Sequence, residues 1–206
     1  MRDTNATVIV DLKPSIEEIY NGLQKDARWG INKAEREGLV IEKIEENSKR
    51  GSEAWEEFYP IYVETMKNAG INLETLEHLK KYADVLFLCK KENKIIAGAS
   101  LDVVDNVPKL SRNGSLKEYQ TFQPNNLLYW YCIRWSKDKG YDKLDLGGWQ
   151  INPDKSSEGV NKFKERWGKV VYYEKEYPVL KALGRKLIRR FKFLRLLNHR
   201  FKAVRR

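Results

Sequence analysis

A three-layer α/β domain is the fold class that the sequence predicts, and two observations predict it. Segments that alternate apolar and polar residues, as strands do, are interspersed with segments whose apolar residues recur every three or four positions, as in amphipathic helices. Helices that alternate with strands in this way cover both faces of a sheet. The length of 206 residues, with 41% hydrophobic and 33% charged, predicts one soluble domain with a single core.

In the first half of the chain, apolar periodicity and helix-capping residues mark the elements. Ser15 is positioned to open one helix, Asp26 to cap the next, and Asn72 to open another. The expected strands are 7–12 and 39–45, and the expected helices are 14–25, 26–38, 53–68 and 73–82. In helix 53–68 one face is apolar and is expected to be buried; it comprises Trp55, Phe58, Tyr62 and Met66.

In the second half, two strands at 85–89 and 95–104 are expected to form a hairpin across Glu92-Asn93. Another strand at 108–115 and a loop at 116–124 follow. An apolar helix then carries Leu127, Leu128, Trp130, Tyr131, Ile133 and Trp135 on its buried face. Lys139-Gly140 is expected to end this helix, and 141–146 alternates like a short buried strand.

The pair Gly147-Gly148 follows this strand directly and is expected to turn the backbone tightly. Glycines just past the carboxyl end of a strand let a ligand approach the main chain, because no Cβ stands in the way. A plain strand-to-loop turn explains the same pair without any ligand.

Several short motifs together resemble one family. The pattern consists of Trp130, Gly140, Asp145, Gly147-Gly148, Phe163-Lys164 and Trp167-Gly168, preceded by the segment 8–42. In order and spacing it resembles the second GNAT-like domain of Fem-type peptidoglycan-bridge aminoacyltransferases, a branch of the GNAT acyltransferase superfamily. The resemblance implies a GNAT-like fold for residues 1–180 and extends from about residue 8 to about residue 173. Because those enzymes carry two such domains, we expect either a partner chain that supplies the other or a smaller acceptor.

The resemblance also implies site residues. Arg28 corresponds to a family arginine in the site for the nucleotide-linked cell-wall precursor, and Lys33 is assigned beside it; a guanidinium suits a diphosphate. Phe163 and Lys164 correspond to the family Phe-Lys that holds the acceptor end of aminoacyl-tRNA. There an aromatic ring can stack on a base and an ammonium can stabilise an oxyanion. Trp130, Gly147 and Gly148 are further substrate-binding candidates.

Simpler roles remain open for these residues. Arg28 can be a solvated helix cation, Phe163 a core residue and Lys164 a surface residue. The segment Trp167-Gly168 is expected to supply packing and a helix C-cap.

Asp145 is the candidate general base, since amine attack on an activated acyl group requires proton removal. A turn-stabilising role fits the same residue. The sequence lacks the Arg/Gln-x-x-Gly-x-Gly/Ala loop with which ordinary GNAT enzymes cradle acetyl-CoA, which favours aminoacyl-tRNA as donor and leaves acetyl-CoA as the alternative. No permanently bound cofactor is expected. A zinc site is not expected either, because His78 and His199 have no partners at ligand spacing.

Basic charge is concentrated at the end of the chain. Residues 181–206 hold 11 of the 39 Lys and Arg residues and no acidic residue, so the net charge of +10 belongs to this tail. Its apolar residues recur at helical spacing, which predicts a basic amphipathic helix. Such a helix suits an anionic membrane surface, while RNA backbone and simple packing on the domain are the alternatives.

Cys89 and Cys132 lie in apolar segments, which predicts buried reduced thiols and, with no signal or membrane-spanning segment, a cytoplasmic protein peripheral to the inner membrane face. The leading hypothesis is an acyltransferase that forms an amide on an amino group of a cell-envelope precursor, using aminoacyl-tRNA. The alternatives are a CoA-dependent N-acyltransferase for an envelope sugar or lipid, and a non-catalytic GNAT-like module that binds RNA or anionic membrane.

Overall fold

Seven strands form one mixed sheet with helices on both faces, as seen in a computed structural model that describes residues 6–45 and 50–172. The strands are β1 (Ala6–Asp11), β2 (Val40–Glu45), β3 (Val85–Lys91), β4 (Lys94–Val104), β5 (Val107–Ser115), β6 (Lys143–Trp149) and β7 (Lys169–Tyr172). The helices are α1 (Ile16–Gly22), α2 (Lys25–Arg36), α3 (Gly51–Asn68), α4 (Leu76–Tyr82), a 3₁₀ helix (Lys117–Phe122), α5 (Pro124–Asp138) and α6 (Lys155–Glu165).

The strand order is β2-β3-β4-β5-β6-β1-β7, and every neighbouring pair is antiparallel except β5 and β6. Those two strands run parallel and are joined by one bridge, between Lys109 and Asp145. The parallel pair divides the sheet into β2 to β5 on one side and β6, β1 and β7 on the other.

Alternation along β3 shows how the sheet separates two apolar layers. Val85, Phe87 and Cys89 belong to the larger cluster, which includes residues of α1, α2 and α5. Leu86 and Leu88 belong to a second cluster with residues of α3 and α4. Successive strand side chains point to opposite faces, so one apolar strand supplies both layers. The predicted three-layer α/β class is confirmed.

Most predicted elements are present. Trp55, Phe58 and Tyr62 are buried and Met66 packs against them, as the apolar face of α3 predicted. Glu92 and Asn93 form the hairpin turn with φ of 50° and 66°, a left-handed conformation that Asn tolerates well. Ser15 forms the N-cap of α1 in a capping box with Glu18.

Several predicted details are wrong. Gln24 and Thr75 cap α2 and α4, where Asp26 and Asn72 were expected, and α1 ends at Gly22 rather than near Lys25. The expected loop 116–124 contains the 3₁₀ helix. Arg166, and not Trp167-Gly168, is the C-cap of α6.

The expected tight turn at Gly147-Gly148 is also wrong, because β6 continues through both glycines to Trp149. Val8 of β1 stands opposite two residues of β6, Leu146 and Gly147, which makes a β-bulge. Gly147 has a φ of +81°, a conformation that glycine adopts at no steric cost. The glycine pair therefore kinks a strand that stays paired.

Cys89 and Cys132 are both free and buried, as predicted. Within residues 6–45 and 50–172, no helix has the length and apolar character to cross a membrane. The predicted amphipathic tail, residues 181–206, lies outside the described residues.

Candidate active site

The parallel strands β5 and β6 border a cavity beyond their single bridge. The cavity has a volume of about 650 Å³ and is bounded by Ser115 at the end of β5, by Gly148 near the end of β6, and by α6. The carboxyl ends of adjacent parallel strands are a common location for ligand sites, because the loops that follow them diverge there. This cavity is the candidate active site.

One face of α6 lines the cavity, with side chains three or four positions apart: Ser157, Val160, Asn161 and Lys164. Asp154 caps this helix by accepting a hydrogen bond from the Ser157 amide at 2.8 Å. The Asn161 side chain accepts from the Gln150 amide at 3.0 Å and donates to the Gln150 carbonyl at 2.7 Å. These two bonds hold the end of β6 against α6.

Lys164 brings a charged group to the glycine pair. Its Nζ donates a hydrogen bond to the Gly148 carbonyl at 3.0 Å. Burial lowers the pKa of Lys164 to about 8, with the Asp145 carboxylate acting to raise it and the Lys109 ammonium acting to lower it further. At neutral pH the side chain is still mainly an ammonium, but one whose proton is held less firmly than that of an exposed lysine.

Asp145 lies next to the bulge and close to this lysine. Its Oδ1 accepts a hydrogen bond from the Gly147 amide at 2.7 Å and another from the Thr7 hydroxyl, while Oδ2 lies 4.0 Å from Lys109 Nζ. The Thr7 hydroxyl also lies 2.9 Å from the Gly147 carbonyl oxygen. These contacts give Asp145 the role of fixing the bulge; its role as a general base stays a prediction.

The arrangement can stabilise negative charge that develops in the cavity. An ammonium has three donors, so Lys164 can keep its bond to Gly148 and still donate to an oxyanion. Among the residues that the structure describes, no three metal-ligating side chains come together. The side chains of Lys164 and Asp145 can supply electrostatic stabilisation and proton transfer.

Sequence comparison finds partial relatives, and no family model matches the chain. The Lipid II:glycine glycyltransferase of Staphylococcus haemolyticus is 32% identical over 84 residues, which is 39% of this chain and 20% of that protein. The protein of the same name from Staphylococcus aureus is 29% identical over 94 residues, or 45% of this chain and 22% of that protein. The alignments thus span about a fifth of the length of these relatives.

Structural comparison extends the likeness to most of the chain. The crystal structure of FemX matches with a TM-score of 0.68 at 16% identity, covering 82% of this chain and 60% of that chain. The chain therefore shares the fold of FemX, and part of its sequence is similar to the Lipid II:glycine glycyltransferases. The structure of L-PGS from Bacillus licheniformis shares the fold, with a TM-score of 0.57 at 18% identity over 86% of this chain and 62% of that chain.

Four of the residues predicted from the Fem-type resemblance lie close together: Lys164, Asp145, Gly147 and Gly148. Lys164 and Gly148 line the cavity, and Asp145 and Gly147 lie behind them. Phe163 faces the apolar core, where its ring meets Tyr129 edge-on at 5.0 Å between centroids. The Trp130 ring is buried against Tyr20, with a centroid distance of 5.3 Å. These contacts make Phe163 and Trp130 packing residues, and their substrate-binding roles stay predictions.

The two basic residues predicted from the Fem-type resemblance, Arg28 and Lys33, lie on α2. The Arg28 guanidinium donates to the carbonyls of Asn21 and Leu23, the latter at 2.8 Å, and so stabilises the end of α1. Lys33 Nζ lies 5.2 Å from the centre of the Trp29 ring. Binding of substrate phosphate by this pair stays a prediction.

Three residues of the site were missed from the sequence: Thr7, Lys109 and Asn161. Lys109 and Thr7 reach Asp145 only because β5 and β1 both pair with β6, and strand pairing of this kind leaves no local signal. Asn161 was detectable in part, because it shares a helix face with Lys164 at a spacing of three residues.

Proposed function

We propose that this chain is an acyltransferase that forms an amide bond on an amino group of a cell-envelope precursor of the peptidoglycan type. The acyl group is an aminoacyl group carried as an ester on tRNA. The two partial relatives named Lipid II:glycine glycyltransferase support this choice of reaction. The observation that carries it is the ammonium of Lys164, held at the Gly148 carbonyl on the wall of the cavity.

In the proposed reaction, the acceptor nitrogen attacks the carbonyl carbon of the ester. A C–N bond forms while the carbonyl oxygen becomes an oxyanion, to which Lys164 donates a hydrogen bond. Collapse of this intermediate breaks the C–O bond to the ribose, whose oxygen takes up a proton as the nitrogen loses one. The partly buried position of Lys164 strengthens its electrostatic interaction with the oxyanion.

The start of α5 supports tRNA over acetyl-CoA as donor. A CoA pyrophosphate is bound by consecutive backbone amides in a glycine-rich turn before a helix. Here a 3₁₀ helix leads into α5, and Pro124, which has no amide hydrogen, occupies its first turn. We therefore assign the donor as aminoacyl-tRNA.

Replacing Lys164 tests this proposal. Purified protein is supplied with labelled aminoacyl-tRNA and a nucleotide-linked or lipid-linked precursor. Lys164→Met is expected to lower the transfer rate at least roughly 100-fold, the usual effect of losing an oxyanion donor. Lys162→Met is the matched control, because Lys162 is exposed on the same helix and paired with Glu158; its transfer rate is expected to stay within about twofold of wild type.

An unchanged rate in Lys164→Met, with circular dichroism that confirms the fold, would reject the role of Lys164. Absence of transfer by the wild-type chain would reject the reaction itself.

A further inference from the structure

The mouth of the cavity carries large aliphatic side chains that face water. Ile71 and Val160 line the cavity and are 43% and 51% exposed, and Leu73, two residues after Ile71, is 44% exposed. They come from two separate elements, the segment between α3 and α4 and the face of α6 that lines the cavity. Exposed aliphatic side chains that are grouped at one opening often indicate an interaction surface, whereas single exposed ones are common on any protein.

The segment that presents Ile71 and Leu73 is anchored at its far end by Glu74. The Tyr59 hydroxyl donates to the Glu74 carbonyl at 3.1 Å, and a carboxylate oxygen of Glu74 lies 2.7 Å from a buried Arg112 nitrogen. These bonds keep the segment in place, so the two aliphatic side chains are held outward.

Charge within the mouth has one sign. Lys117 and Lys164 line the cavity, and no carboxylate belongs to its lining. The other residues that line the cavity are neutral. The opening therefore combines a cationic interior with an aliphatic rim, which complements a lipid whose phosphate is anionic and whose chains are apolar.

We propose that this mouth is the surface with which the protein contacts an anionic phospholipid bilayer. Ile71, Leu73 and Val160 enter the boundary between head groups and acyl chains, and the exposed Lys117 faces the lipid phosphates. The inference rests on the proposed function in one respect, that the acceptor is linked to a membrane. It places the opening of the active site directly against the surface from which such an acceptor is taken.

A bilayer fits this rim better than a protein partner does. Three aliphatic side chains provide far less than the roughly 1,000 Å² that a specific protein interface needs. Reversible membrane binding needs only a small apolar area together with basic side chains, which are attracted to an anionic surface.

Environment-sensitive labels test which surface meets the lipid. The full chain is labelled with a fluorophore at Ile71→Cys or at Val160→Cys, and vesicles of phosphatidylcholine and phosphatidylglycerol are added. The two native thiols are buried, and burial raises the pKa of Cys89 to about 12 and that of Cys132 as well, so neither competes for the label. Val40→Cys is the control, because Val40 is 62% exposed on the edge strand β2, away from the cavity.

We expect a blue-shifted emission at positions 71 and 160 and no shift at position 40. The double variant Ile71→Ser/Val160→Ser is expected to partition into the vesicles roughly fivefold more weakly than Ile16→Ser/Val40→Ser, which removes the same side chains from other exposed sites. Vesicle binding without a shift at either mouth position would overturn the proposal, as would equal shifts at all three positions or no binding at all.

These readouts require no donor and no turnover, so they separate this inference from the proposed reaction. A shift at the mouth in a protein that transfers no acyl group would retain the membrane contact and reject the reaction. Transfer to a precursor without any shift would retain the reaction and reject the contact.

Discussion

At the residue scale, the position of Lys164 decides how the proposed chemistry depends on pH. Burial lowers its pKa to about 8, whereas the Asp145 carboxylate raises it and the Lys109 ammonium lowers it. If the ammonium stabilises the oxyanion, transfer must weaken as the pH rises through this pKa, because the cationic form is then lost.

Lys109→Met is predicted to move the falling limb of the pH profile to higher pH. Removing the Lys109 charge removes an effect that lowers the pKa of Lys164, so the ammonium persists further into the alkaline range. The measurement is the single-turnover transfer rate as a function of pH, with ester hydrolysis measured in parallel. A falling limb that stays at the same pH in Lys109→Met would contradict this account.

Arg28→Ala is predicted to lower the free energy of unfolding by about 1–3 kcal/mol. The carbonyls of Asn21 and Leu23, at the end of α1, would lose their hydrogen bonds from the charged guanidinium. Lys33→Ala, which removes a cation above the Trp29 ring, is expected to change stability by less than about 1 kcal/mol. Urea denaturation measures both. If Arg28 also binds the substrate phosphate, folded Arg28→Ala must bind the acceptor more weakly in a titration. An acceptor affinity equal to that of the wild type would contradict phosphate binding by Arg28.

Sequence alone could identify some residues of the site and not others. Lys164, Asp145 and the glycines were reached through the resemblance, because the family motif keeps them close along the chain. Lys109 precedes Asp145 by 36 positions, and only the parallel pairing of β5 with β6 brings the two together. The charged surroundings of Lys164 could therefore not be read from the sequence.

At the element scale, helices and strands with strong periodicity were predictable, whereas their ends and irregularities were not. The apolar face of α3 and the hairpin turn at Glu92-Asn93 follow from local residue types. The bulge at Gly147 does not follow from local residue types, because a bulge depends on the partner strand as well as on the glycine. The helix start at Gln24 was missed because Gln24 makes no side-chain capping bond and Asp26 nearby is a favoured cap type. The start at Thr75 was missed because Asn72 is an equally good cap type.

Gly168→Ala tests how closely the backbone following α6 approaches β1. A Cβ at this position would lie 2.4 Å from the Ile9 carbonyl oxygen, so either the chain after α6 or β1 must move. We expect a loss of unfolding free energy of about 2 kcal/mol or more, measured by urea denaturation.

Gly159→Ala is the matched control. Gly159 lies inside α6, and nothing stands within 4 Å of an added Cβ. Alanine is favoured over glycine in a helix, so this variant is expected to gain about 0.5–1 kcal/mol. A stable Gly168→Ala protein would mean that β1 and the end of α6 are not in close contact.

At the scale of the whole molecule, the sheet places the site at the junction between its two parts. The three layers were predictable because buried strands and amphipathic helices alternate along the chain. The cavity could not be predicted from the sequence, because it depends on β5 and β6 being parallel neighbours. Most other neighbouring strands of the sheet are antiparallel. Residues 181–206 hold all of the net positive charge of the chain and lie outside the described residues.

Removal of residues 181–206 is predicted to weaken binding to anionic vesicles and to leave transfer to a water-soluble acceptor within about twofold, because basic residues act mainly through the surface potential of the membrane. Co-sedimentation and transfer assays on the full and shortened chains measure the two effects. RNA binding by the tail would instead appear as a loss of tRNA affinity with a steep salt dependence. Unchanged vesicle binding in the shortened protein would contradict a membrane role for the tail.

The most direct test of the central claim is a comparison of donors. Purified protein is offered labelled aminoacyl-tRNAs or labelled acetyl-CoA, each with nucleotide-linked and lipid-linked peptidoglycan precursors and with amino sugars. The account predicts that label moves from tRNA into an amide on a precursor, and that Lys164→Met abolishes this transfer while Lys162→Met does not. Label that moves only from acetyl-CoA, or from neither donor, would contradict it.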